Sequence, residues 1–409
     1  MLGLNLLLGA LLLGGAFAAP PMPVDNSRGP PSPPGPPPTP IAGPPKQAPP
    51  RAPIVPGIVF DRFVSIWLEN TDFSAAALDP SLQDLAKQGV LLTNFFALTH
   101  PSEPNYVSSV GGEYFGMNND NFNRVPGNVS SIVDLLEDKG ISWGEYEEDM
   151  PSTGFQDIQF LNQVTGANDY VRKHNPLVIF DSVANFPDRL AKIKNFTLFR
   201  EDLANDALPQ WMFITPNMTN DGHDSNVTVA GTFSKNFLTP LLKDPHFNAP
   251  KTLILLTFDE NDAHSIQNRV FTVLLGSAVP PSLHGTTDDS IYTHFSAIST
   301  VQANWGLHTL GRYDAGANVF SLVAQHTQDD VRAATLDTVF FNGSYPGFLN
   351  TVPTLQMPVP NVDLVVNGRT VLPLIQEIWG APEMQKCTVY DGSAVPASLQ
   401  QPPVLPAGC

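Results

Sequence analysis

Along this chain, short blocks of consecutive apolar residues alternate with stretches where apolar residues recur every three or four positions. Residues 63–68 (FVSIWL), 90–96, 141–146 and 211–215 are strand-like stretches, and 252–258 and 270–275 are continuous apolar runs. Runs of this length and composition predict strands covered on both faces. Between them, residues 80–89 place Leu82, Leu85 and Ala86 at helical spacing, with Gly89 at the expected end. Residues 131–139 open on Ser131 and Asp134, a capping-box pair, and stop at Gly140. Residues 295–307 form a further helical stretch. Regular alternation of strand and helix predicts an α/β fold with a mostly parallel central sheet sandwiched by helices. No internal repeat is visible.

Two N-terminal stretches stand apart from this pattern. Residues 1–19 are uncharged, rich in Leu, Gly and Ala, and end in Ala16-Phe17-Ala18, the small-x-small form of a signal-peptide cleavage site. Residues 20–56 hold 17 of the 41 prolines and almost no large apolar residue, so they predict an extended linker that cannot offset its own ordering entropy. The expected folded domain is 57–409. Its other apolar runs are too short for an integral membrane span, and no apolar tail signals a lipid anchor.

Charge and cysteine usage narrow the setting. The net charge is −18; the linker contributes +2 (Arg28, Lys46 and Arg51 against Asp25), leaving −20 on the remainder. Such a surface argues against nucleic acid or an anionic bilayer as a partner, because both require a basic footprint. Five sequons, at Asn128, Asn195, Asn217, Asn226 and Asn342, are expected N-glycan acceptors. Cys387 and Cys409, the only cysteines, are expected to bridge in an oxidising compartment. Together these features predict a secreted protein.

In open α/β sheets ligands gather at the carboxyl ends of strands, so the residues following each apolar run carry the chemistry. The first run ends in Glu69-Asn70, the second leads into THPSEPNY (99–106), the fourth into PNMTNDGHDSN (216–226), and the fifth into Asp259-Glu260-Asn261-Asp262. Carboxylates set directly after buried strands repel one another unless a cation lies between them, and oxygen donors of this kind suit a hard or borderline divalent metal. A serine hydroxyl is a weak nucleophile until a base or metal activates it; Ser102 and Thr99 both qualify within the proline-stiffened loop. His223 and His294 could hold a phosphoryl group or protonate a leaving oxygen. His174, in RKHNP, is intermediate, and His246, His264, His284, His308 and His326 read as structural.

The ordered set Leu68-Glu69-Asn70, THPSEPNY, NDGHD, TFDEND with NRVFTVLLG, and YTHFS with a downstream WGL resembles the phosphoesterase family of secreted fungal acid phosphatases. That family is similar to bacterial acid phosphatases and phospholipases C of the alkaline phosphatase superfamily. The likeness runs from about Arg62 to about Phe320. It implies an alkaline-phosphatase-like fold and one divalent metal ion surrounded by Glu69, Asn70, Asp259 and Glu260. It also implies Ser102 as nucleophile, with His223, His294 and His174 at the phosphate site. The implied activity is hydrolysis of a small phosphate ester through a phosphoseryl intermediate. A phospholipase C-like phosphodiesterase is the alternative within the superfamily, and a non-enzymatic glycosylated surface-binding protein the alternative outside it.

Overall fold

The computed structural model describes residues 53–248, 251–333, 341–352 and 357–393. The leader, most of the proline-rich linker and Cys409 lie outside the described residues. Cys387 is disulfide-bonded. No helix among the described residues is long and apolar enough to cross a membrane. The last linker residues are already tied to the domain: Gln210 exchanges hydrogen bonds with the main chain of Val55, and the Trp305 indole donates to Val55 O.

Ten strands frame the site and its surroundings: β1 (Arg62–Leu68), β2 (Val90–Phe96), β3 (Trp143–Glu147), β4 (Gln159–Leu161), β5 (Asn168–Val171), β6 (Ile193–Asn195), β7 (Trp211–Thr215), β8 (Thr252–Phe258), β9 (Thr272–Leu275) and β10 (Thr286–Thr293). Eight of them form one sheet in the order β10-β2-β9-β8-β1-β7-β3-β6, while β4 and β5 pair separately. Every pairing in the large sheet is parallel except the two made by β9. The expected parallel-rich sheet is therefore present. β1, β3, β7, β8 and β9 are buried along their whole length, which for the apolar runs β8 and β9 is the coverage expected.

All six expected strands and three expected helices are found; 90–96, 211–215 and 252–258 keep their expected bounds, and the ends of the others shift by at most three residues. The Ile132–Asp138 helix carries its capping box, with the Asp134 carboxylate accepting from Ser131 N, and Gly140 follows in the left-handed region at φ 72°. Gly89 does a different job from the one expected. The preceding helix ends at Ala86, and a Cβ on Gly89 would stand 2.0 Å from Leu274 O. Its small size lets the start of β2 lie against β9. The segment after β2, expected as a loop, is instead the Ser102–Gly111 helix, buried throughout. Its mixed polar sequence conceals it because every side of it packs, so no amphipathic period appears. β10 lacks an apolar signature for the opposite reason: it is a polar edge strand whose first half is largely exposed.

The two glycines should separate in a stability test. Gly89→Ala must displace backbone and is expected to cost about 2–3 kcal/mol, as overpacking does. Gly140→Ala meets nothing within 4 Å and loses only through its left-handed backbone, about 1 kcal/mol. Urea unfolding of the two variants checks the order, and a larger loss for Gly140→Ala contradicts the close-approach account.

Candidate active site

Because β10, β2, β8, β1 and β7 run the same way, their carboxyl ends share one edge of the sheet, and the side chains that come after them meet there. Glu69 follows β1 and is fully buried. Its Oε2 accepts from Ser102 Oγ at 3.1 Å and its Oε1 from the Tyr106 hydroxyl at 2.5 Å. Ser102 opens its helix, and Asn105 and Tyr106 lie three and four residues on, hence on the same face. Asn105 Nδ2 reaches Glu260 Oε2 at 3.1 Å. One helical face thus presents three polar side chains to two carboxylates from different strands. Thr99, the rival nucleophile, turns its hydroxyl to His100 O at 3.3 Å.

Asn70 adopts a left-handed backbone (φ 38°), a region Asn tolerates better than most residues. This conformation accompanies donation from Asn70 N to Asp259 Oδ1 at 3.1 Å, while the buried Asn70 Oδ1 has no hydrogen-bond partner. Asp259 follows β8. Burial lifts its carboxyl to about 6, although hydrogen bonds from the Asn70 amide, the Ser102 hydroxyl and Glu69 pull the other way. Burial, reinforced by neighbouring carboxylates, also lifts Glu69 and Glu260 well above the ordinary carboxylate range. His100 Nδ1 lies 3.1 Å from Glu260 Oε2 but out of hydrogen-bonding alignment. Burial and the stacked ring of His264 hold His100 at about 4.

Two residues outside the expected metal set complete the cluster. Asp221, in the loop after β7, folds back so that its carbonyl accepts from Glu69 N at 2.9 Å. His174, from a short helical turn after β5, sits with Nε2 3.3 Å from Glu69 Oε1 and Nδ1 3.4 Å from Asp221 Oδ2. Both contacts are close but poorly aligned as hydrogen bonds, for His174 Nε2 and Asp221 Oδ2 have no such partner. Burial lowers His174 far below its ordinary value and raises Asp221. One ligand atom each from Glu69, His174 and Asp221 lies within 4.8 Å of the others. This buried group could hold a metal ion, and the unpartnered oxygens of Asn70, Asp221 and Asp259 fit a cation's coordination needs. Glu69 belongs to both the expected and the observed sets. Asn70 and Asp259 adjoin it, and Glu260 stands one step away beside Asn105.

The remaining histidines are placed differently from each other. His294 is buried after β10 between Trp67 and Phe95, with Nε2 donating to Asp259 O at 2.6 Å. Burial drops it to about 3, so its ring is neutral. His223 is partly exposed at the mouth: Nδ1 pairs with Asp224 at 2.9 Å and Nε2 lies 3.3 Å from Lys173 Nζ. That arrangement requires the Nδ1–H tautomer, since a lysine ammonium can only donate. Lys173, singled out by no strand-end pattern, also pairs with Asp120 at 3.0 Å.

The family model described as the Phosphoesterase family matches residues 71–308. A protein described as a probable acid phosphatase from Kluyveromyces lactis is 53% identical over 327 residues, 80% of this chain and 77% of its own. The phosphate-repressible acid phosphatase of Penicillium chrysogenum is 55% identical over 297 residues, 73% and 71% of the two chains. A more distant relative, the phosphatidylinositol-3-phosphatase of Mycobacterium tuberculosis, is 31% identical over 235 residues, 57% of this chain and 71% of its own. With its match spanning more than half of the sequence, the chain belongs to the Phosphoesterase family.

Proposed function

We propose that this protein is a secreted, metal-dependent acid phosphatase that hydrolyses phosphate monoesters through a phosphoseryl intermediate. That it is a hydrolase of phosphoric esters follows from its family and from more than 50% identity to acid phosphatases over most of the chain. The observation carrying the finer reading is Ser102 Oγ, 3.1 Å from Glu69 in a pocket of buried carboxylates with unpartnered oxygens.

Glu69, His174 and Asp221, with Asn70 and Asp259 adjoining, are the residues that would hold the cation. When bound it supplies positive charge against the phosphoryl oxygens and favours the ionised serine hydroxyl. Ser102 directs its proton towards Glu69, which leaves oxygen lone pairs for the attack on phosphorus. As the Oγ–P bond forms, the Ser102 proton passes to Glu69, the bond from phosphorus to the ester oxygen breaks, and the leaving oxygen takes a proton from solvent at the open side beside His223. Water then attacks phosphorus, the Oγ–P bond breaks and Oγ recovers its proton from Glu69, while a proton of the attacking water returns to solvent as orthophosphate leaves. Tyr106 and Asn105 hold Glu69 and Glu260 in place, and His294, neutral and buried, fixes the main chain of Asp259. Most of the acceleration in such a site comes from positioning and charge.

The uncharged leader and the bonded Cys387 support export. Glycans belong to the same proposal: Asn128 and Asn226 are exposed, whereas Asn195, Asn217 and Asn342 commit their amide groups to internal hydrogen bonds.

Ser102→Ala is expected to lower phosphomonoester turnover by at least ~10³-fold, while Thr99→Ser leaves most of it; retained turnover in Ser102→Ala, measured with p-nitrophenyl phosphate, sinks the nucleophile assignment. Chelation should abolish activity and a divalent ion should restore it, a result checked by metal analysis of the same samples.

Stability should respond to pH in a set direction. Asp259 moves from 3.8 unfolded to about 6 folded, so between those values the folded state binds more protons than the unfolded chain. Its contribution is present at low pH and lost as pH rises through that window, by up to about 3 kcal/mol. Chelated protein should melt at a lower temperature at pH ~7 than at pH ~4.5, and added metal should reduce the gap. A melting temperature that climbs with pH in the chelated protein contradicts the raised carboxyls.

A further inference from the structure

We propose that Lys173 is a specificity-determining residue whose ammonium group takes the second negative charge of a phosphate monoester, so favouring monoesters over diesters. The inference rests on the phosphatase reading above and deepens it by naming the substrate class. It starts from where the ammonium is held. Lys173 Nζ donates to Asp120 Oδ2 at 3.0 Å, and the other oxygen of Asp120 accepts from Glu103 N at 3.0 Å. Glu103 is the residue after Ser102, so Asp120 ties the lysine to the first turn of the nucleophile's helix. A second tie, to His223 Nε2 at 3.3 Å, fastens it to the loop that carries Asp221.

These two ties place the cation between Ser102's helix and His223 at the open side of the site. They use two of its three N–H groups, and the third has no partner among the described residues. The Lys173 side chain is 17% exposed, so this donor is held at the rim of the site instead of ranging through solvent. Nearby arginines are turned elsewhere. Arg172 lies over the Phe122 ring and donates to Gln156 O and Val178 O, and Arg124 pairs with Asp181. A pocket lined by Glu69, Asp221, Asp259 and Glu260 repels anions. A cation bound to those carboxylates would answer one side of the phosphate, and Lys173 answers the side next to Asp120 and His223.

Charge then distinguishes the substrates. A phosphate monoester carries about −1.5 to −2 at pH 7 with three terminal oxygens. A diester carries a single charge on two, the third being esterified. A fixed ammonium beside the third oxygen stabilises the monoester and meets an uncharged ester oxygen in the diester.

The test compares Lys173→Met and Lys173→Arg with wild type at pH ~7, where the monoester is mostly dianionic. For p-nitrophenyl phosphate, Lys173→Met is expected to lose ~10- to 100-fold in kcat/KM, the range for one charged hydrogen bond. For bis-p-nitrophenyl phosphate the loss should stay below ~3-fold, and Lys173→Arg should recover most monoester activity. Equal losses on both esters, or no loss on either, overturn the proposal; equal losses would mark Lys173 as support for Asp120 and His223. Binding supplies a readout independent of turnover. Inorganic phosphate should raise the melting temperature of wild type and Ser102→Ala more than dimethyl phosphate does, and Lys173→Met should lose that difference. If wild type shows no such preference, or Lys173→Met keeps it, the proposal fails. Turnover retained by Ser102→Ala would overturn the nucleophile assignment instead, leaving the phosphate-binding result to judge Lys173.

Discussion

The dominant constraint on this molecule is the removal of negative charge from water at one edge of its sheet. Glu69, Asp221, Asp259 and Glu260 are all at most 5% exposed, and each is pushed above its ordinary range chiefly by burial. A carboxylate in such a place must be protonated, hydrogen-bonded or paired with a cation. The surroundings supply part of that compensation. Tyr106 and Ser102 donate to Glu69, Asn105 to Glu260, and the main chain of Asn70 to Asp259. The oxygens left without donors are what make the pocket a fit for a metal ion.

This constraint also explains the Ser102–Gly111 helix. A loop there would leave main-chain polar groups to be satisfied inside a dry pocket, whereas a helix satisfies its own and turns side-chain donors towards the acids. The interval of three and four residues between Ser102, Asn105 and Tyr106 then matters as much as their identities. His294 contributes without entering the polar pocket: clamped by Trp67 and Phe95, it stays neutral and braces the main chain at Asp259. A similar brace appears at the rim, where Asp120 joins the Ser102–Gly111 helix to the only lysine tied into the cluster among the described residues.

A further pair of buried acids, Glu145 and Glu147 on β3, shows that burial of charge alone does not make a site. Burial raises both, Glu145 to about 8, and the charge of Glu145 pushes Glu147 further up. Yet neither joins a third ligand close enough to enclose an ion among the described residues. Convergence, and not acidity, distinguishes the cluster around Glu69.

How far each feature was legible in the sequence depends on the range of its signal. Apolar runs are local, so the strands, their parallel arrangement and the acids immediately after β1 and β8 could be read directly. The polar edge strand β10 and the fully packed Ser102–Gly111 helix could not, because neither shows a one-sided apolar period. Asp221 lies six residues beyond the end of β7, and His174 comes from an insertion outside the large sheet. The strand-end rule takes in the 216–226 segment without singling out Asp221, and it does not reach His174 in RKHNP. Sequence by itself determined the α/β class, the acidic character and the residue types from which the site is made. Tertiary structure alone decided which of those acids share one dry volume, that Ser102 and not Thr99 faces them, and that Lys173 stands beside the Ser102–Gly111 helix. Hydrophobic periodicity is encoded between neighbours, whereas convergence of charge depends on loops folding back across the sheet.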